Sequence, residues 1–277
     1  MKKIVRITIK ILEKIKKRIN QALIKLKFLL YQMEFGERED DIYVVTYPKS
    51  GTTLMQMMLY QLTTLGNMDF GHINDVSPWI RNDALMGKPP KNLPSPRTIK
   101  THDFYKSFEF GAKGRFIYVH RDGKDCAVSN WYQEISYRTT DLNFEEYLKQ
   151  FLSQDYNWFT FTIGWFENKK KLPILYLHYE DLIHNFEESI NKICQFLNID
   201  PEKVDMKRVH ERTRLDFMKK HEEKFGDRPS KAEKIYDEFI RKGRSGEGVK
   251  YFPENFTKAF DKAYLKYIYP LEQKITF

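Results

Sequence analysis

The chain has 277 residues, 41% of them hydrophobic and 15% aromatic, enough for one large domain or two small ones. Its net charge of +9 sits at one end: residues 1–30 hold ten Lys/Arg and one acid, Glu13, which leaves 37 basic and 37 acidic residues in the body. That balance argues against a general nucleic-acid surface, and two cysteines, Cys126 and Cys194, are too few for a disulfide framework and fit a reducing cytoplasm.

In chain order, residues 1–36 are predicted to form one basic amphipathic helix. Ile4, Ile11, Leu12, Ile15, Ile19, Leu23, Leu26, Leu30 and Met33 recur at helical steps, with Lys and Arg between them. The charges interrupt the run too often for a membrane span, and no uncharged core marks a signal peptide. Such a helix suits either a peripheral contact with anionic membrane or packing on protein, its own domain or another subunit. Residues 37–277 are expected to form a single α/β domain with a central parallel sheet flanked by helices.

Ile42–Tyr47 reads as a buried strand, ended by Pro48, and Leu54, Met57, Met58, Leu62 and Leu65 continue at helical spacing. Residues 66–96 hold five prolines and read as loop, and 97–101 as a short strand. Residues 115–120 and 173–179 read as two more buried strands. Helices are expected over 125–137, 144–168, through about 197, over 202–220 and 256–268. Residues 225–250, charged and holding Gly226, Gly243, Gly246 and Gly248, read as a mobile segment.

Four stretches carry chemistry. Lys49-Ser50-Gly51-Thr52-Thr53 stands at a strand-to-helix turn, where successive amides and a helix N-terminus can hold an anion. Its lysine precedes the glycine, the reverse of a kinase P-loop. Lys100-Thr101-His102 offers a general base and a nearby cation. Arg121 and Ser129 can grip a phosphate, as can Arg241-Lys242-Gly243. Each stretch alone also fits a bland role: a capped junction, an exposed histidine, an arginine paired with Asp122 or Asp125, a charged surface loop.

Together they resemble the cytosolic-type sulfotransferases, which use 3′-phosphoadenosine 5′-phosphosulfate (PAPS). The loop Tyr47-Pro48-Lys49-Ser50-Gly51-Thr52-Thr53, then Lys100-Thr101-His102, Arg121 to Ser129, Tyr179-Glu180-Asp181-Leu182, and Arg241-Lys242-Gly243 with Gly246 follow that family's order and spacing. The resemblance implies that Lys49 and the amides through Thr53 hold the 5′-phosphosulfate. It implies that Arg121, Ser129, Arg241, Lys242 and Gly243 hold the 3′-phosphate, with Tyr179 and Thr213 near the adenine. It makes His102 the base, assisted by Lys100, acting on a small hydroxyl acceptor, or an amine, without a metal; a lipid-like alcohol as acceptor rests on the N-terminal helix alone, should it meet membrane. Leu54 and Val249 stand where the family often has tryptophan, and its dimer motif is not recognisable after Lys250, which leaves the oligomeric state open. A P-loop kinase gives no role to residues 100–102 or 241–243. A membrane-associated nucleotide-binding protein without activity would not need Lys49, His102 and Arg121 together.

Overall fold

The structure is a computed structural model and describes residues 1–108, 113–153, 155, 157–226 and 236–277. A 34-residue helix α1, Lys2–Phe35, leads into strand β1, Ile42–Thr46, and helix α2, Thr52–Thr63. Short helices α3, Ile73–Val76, and α4, Ile80–Leu85, precede β2, Thr98–Thr101. Then come β3, Arg115–His120, and α5, Gly123–Ser136. β4 is Ile174–His178, and further helices follow among the described residues, the last being Tyr269–Glu272.

The four strands are parallel in the order β2-β1-β3-β4. β1 is the sequence IYVVT, buried throughout, as a central strand covered on both faces requires. Its alternation divides the core. Tyr43 and Val45 face a cluster with Cys126, Phe161 and Trp165, while Ile42 and Val44 face Met55, Leu59 and Ile193.

Two expectations are revised, and a third falls partly outside the described residues. The proline-rich stretch 66–96 contains α3 and α4 rather than loop alone; His72 caps α3 by accepting the Asn74 amide at 3.0 Å. The helix expected over 144–168 is two, Phe144–Ser153 and Trp158–Glu167. Asn157 starts the second by accepting the Thr160 amide at 2.9 Å. The segment read as mobile, 225–250, lies partly outside the described residues (227–235). Its last residues fold into the turn of helix Gly248–Tyr251.

Among the described residues, only the end of α1 docks on the domain. Tyr31 and Phe35 are buried there and Phe28 packs beside them. Arg97 fixes this junction: it bonds both Asp41 oxygens at 2.7 Å and the carbonyls of Phe35 and Gly36 at 2.9 and 2.6 Å. Both charges are buried, and every arm of the guanidinium has an acceptor.

Candidate active site

All four strands end at one edge of the sheet. From Thr46 the chain turns through Lys49 and Gly51, which hold left-handed backbone at φ 71° and 92°. Glycine adopts that conformation without strain and lysine does not. The first amide with an intrahelical acceptor in α2 is that of Met55, bonded to Gly51 O at 3.0 Å. The amides of Thr52, Thr53 and Leu54 precede it, at the positive end of the helix. Lys49 Nζ reaches across to α5, 2.6 Å from Gln133 Oε1, and lies 5.3 Å from the centre of the Phe239 ring.

Pairing of β2 with β1 sets Val45 against Thr101, so His102 follows beside Thr46. His102 Nδ1 bonds the Thr46 carbonyl at 2.8 Å. A carbonyl only accepts, so Nδ1 carries the hydrogen and Nε2 carries the lone pair. Trp79 meets the imidazole edge-on, 5.2 Å between ring centres, and Lys100 Nζ lies 4.6 Å from the same indole. Burial, then the charges of Lys100 and Lys49, push the His102 pKa down to about 3 against the opposing Thr46 hydrogen bond. The imidazole is therefore neutral at neutral pH, the form a base needs.

Arg121, just past β3, ties two loops together. Its Nη1 donates to Lys49 O at 2.6 Å and its Nη2 to Arg244 O at 2.9 Å, with the guanidinium 4.4 Å from the Tyr179 ring centre. Asp125 adds a second tie, accepting the amides of Gly246 and Gly248 at 2.7 and 2.6 Å. Ser245 donates to Glu180 at 2.6 Å. Arg241 and Lys242 both bond Glu247, the lysine at 2.7 Å, and Glu247 is 2% exposed. Burial pushes that carboxyl up, but hydrogen bonds and charge from Arg241 and Lys242 outweigh it and hold the pKa at about 2.

That pairing sets an expected result. The folded pKa is depressed, so the stabilisation is present above the ordinary carboxylate pKa and is lost as pH falls from about 4.5 towards 2. Glu247→Gln should lower stability by about 1–3 kcal/mol at neutral pH. Thermal melts at pH 7 and pH 3 should show that loss shrink in acid; an equal loss at both would refute the ion pairing.

One cavity of about 710 Å³ takes in Lys49, Gly51, Thr52, Thr53, Lys100, His102, Arg121, Ser129, Tyr179, Thr213, Arg241, Lys242 and Gly243. Arg121 Nε and Arg241 Nη1 are buried without a hydrogen-bond partner. Two orphaned guanidinium donors in a cavity with further cations fit an anionic ligand.

The sulfotransferase domain family has a sequence model that matches residues 39–272. The chain belongs to this family. It is a sulfotransferase, an enzyme that uses PAPS as donor. Mouse sulfotransferase 1B1 is 31% identical over 262 residues, covering 84% of each chain. A 3-beta-hydroxysteroid sulfotransferase of Cavia porcellus is 30% identical over 249 residues, covering 83% of this chain and 84% of the relative. The crystal structure of mouse sulfotransferase SULT7A1 complexed with PAP matches the fold with a TM-score of 0.64 at 24% identity, covering 87% and 89% of the two chains.

In this sulfotransferase Ser50 is placed differently from the other thirteen residues of the expected site, all of which line the cavity. It is buried, its hydroxyl lies 3.2 Å from Cys126 Sγ, and its amide donates to Tyr47 O at 3.1 Å. It shapes the turn, and its amide is already bonded inside it. Thr213 lines the cavity, and its hydroxyl bonds back to Val209 O at 2.8 Å. Of the aromatic residues near the site in sequence, Trp79 and Tyr132 line the cavity. Phe70 and Tyr105 are buried in the core, and Trp131 packs on Phe144 and bonds Leu142 O. Sequence reasoning missed Gln133, Phe239 and Glu247, which carry no motif of their own.

Gly51 is also constrained by its neighbour, because a Cβ there would stand 2.6 Å from Cδ2 of Tyr179. Gly51→Ala must displace the loop or the tyrosine, besides straining the backbone. A loss of about 1–3 kcal/mol in affinity for adenosine 3′,5′-bisphosphate (PAP) is expected, measured by calorimetric titration.

Proposed function

We propose that this chain moves the sulfuryl group of PAPS to a hydroxyl of a small or lipid-like acceptor by in-line displacement, with His102 as general base. The observation that carries the reading is the His102–Thr46 bond, which fixes the lone pair on Nε2 in a cavity also lined by Lys49 and Arg121. The acceptor oxygen forms a bond to sulfur as the bond from sulfur to the bridging phosphate oxygen breaks, and PAP leaves. The acceptor proton passes to His102 Nε2. Lys49 stabilises the charge that develops on the bridging oxygen, and Lys100 stabilises the transferring group. Holding donor and acceptor in line supplies much of the remaining acceleration.

The amides of Thr52 and Thr53 and the Lys49 ammonium take the 5′-phosphosulfate. Arg121, Ser129, Arg241, Lys242 and the Gly243 backbone take the 3′-phosphate. Glu247 holds Arg241 and Lys242 beside this site. Tyr179, Leu54 and Leu215 offer surfaces to the adenine, with Leu54 in place of the family's common tryptophan. The 3-beta-hydroxysteroid name of one relative denotes a hydroxyl on an apolar skeleton, which supports an acceptor of that kind here. A cytoplasmic enzyme with peripheral membrane contact through residues 1–30 goes with this reading.

Titration with PAP and with 5′-AMP tests the donor site. Loss of the 3′-phosphate should weaken binding by roughly 30-fold or more, as expected for two charge-assisted hydrogen bonds. Equal affinities would remove the role given to Arg121 and Arg241.

A further inference from the structure

The long helix α1 has two faces. At about 100° per residue, Ile15, Ile19, Leu23, Leu26, Leu30 and Met33 fall within an arc of roughly 80°. All six are exposed, from 46% to 74%. The residues that dock on the domain, Phe28, Tyr31 and Phe35, lie about 160° away around the helix. The apolar stripe therefore points away from the domain even beside its own docking site. Packing on its own domain does not account for it.

The charges say what covers it. Lys16, Arg18, Lys25 and Lys27 flank the stripe, and Glu13 is the one acid among ten basic residues in residues 1–30. Two copies joined along the stripe would bring like charges together with almost no acids to pair with them. An anionic bilayer surface complements both features, apolar stripe down and basic flanks among the headgroups.

The docked end of α1 also leads to the reacting side of the cavity. Phe28 lies under the Arg81 guanidinium at 4.1 Å, and Arg81 pairs with Asp103, the residue after His102. Trp79, two residues before Arg81, packs on the His102 ring. We infer that α1 seats the enzyme on an anionic membrane surface and holds the Trp79–His102 side of the cavity near it, so that the acceptor is an alcohol resident in the bilayer. The acceptor half of this inference rests on the sulfuryl-transfer reading.

The test uses the full chain, vesicles of phosphatidylcholine with and without phosphatidylserine, labelled PAPS, and two acceptors, a vesicle-embedded sterol and a water-soluble phenol. The wild type should sediment with phosphatidylserine vesicles and be released by salt. Leu26→Glu with Leu30→Glu, two exposed positions, should lose at least about tenfold in binding. The same variant should transfer to the sterol at least about tenfold more slowly and to the phenol at an unchanged rate. Circular dichroism and melting checks that it folds. Failure of the wild type to bind, equal binding by the variant, or a lipid-independent dimer that the variant abolishes would overturn the docking. Docking without faster transfer to the sterol than in the variant would overturn the acceptor assignment. Vesicle binding with sulfur passed to neither alcohol would instead overturn the catalytic reading and leave the docking in place.

Discussion

His102→Ala is expected to slow sulfuryl transfer by about 10²–10⁴-fold, the usual contribution of a positioned general base. The fall should appear in kcat, because His102 holds none of the groups assigned to PAPS; affinity for PAP should stay within a few-fold of wild type. The pH dependence gives a second readout. Burial and two neighbouring lysines push the pKa down to about 3, so the neutral base persists as pH falls below the ordinary histidine value of about 6.5. In the free enzyme the acid limb of kcat/KM should therefore lie below pH 6.5, and it should disappear in the alanine variant. A limb at or above 6.5 would show that the imidazole is not held neutral by its surroundings.

Arg121→Ala should fail at the other task, binding. The side chain is buried, and it joins the Lys49 carbonyl to the Arg244 carbonyl while an orphaned Nε awaits an acceptor. Its removal unties both loops that it joins and, on the proposed role, takes away a charge-assisted grip on the 3′-phosphate. PAP affinity should fall by about 2–4 kcal/mol, roughly 30- to 1,000-fold, by calorimetry. Arg121→Lys keeps the charge but not the two-armed geometry, and should recover only part of the loss. Unchanged PAP affinity in Arg121→Ala would assign this arginine to fold stability alone, which melting curves would then show.

Those two residues were legible because their signals are local. A buried strand places the residues just past its end at the sheet's carboxyl edge, and Lys49, His102, Arg121 and Tyr179 all stand shortly after a strand in this way. What was not legible depends on contacts between distant residues. Gln133 meets Lys49 across 84 positions, and Arg97 reaches Asp41 across 56. Glu247 is near Arg241 in sequence, but its burial beside them, not its spacing, makes it their partner. Ser50 departs from its neighbours in the loop: its amide bonds within the turn and its hydroxyl sits against Cys126 Sγ, contacts that its place in the sequence does not reveal. Periodicity marked the apolar stripe of α1 but could not reveal that Phe28, Tyr31 and Phe35 dock from the far side.

The direct test of the account is donor discrimination in one assay. The purified full chain is incubated with acceptor extract and either sulfur-labelled PAPS or γ-phosphate-labelled ATP, without and with His102→Ala. Label should reach acceptors from PAPS and not from ATP, and the alanine variant should form product at least about 100-fold more slowly. Transfer from ATP, or transfer from PAPS at full rate without His102, would contradict it.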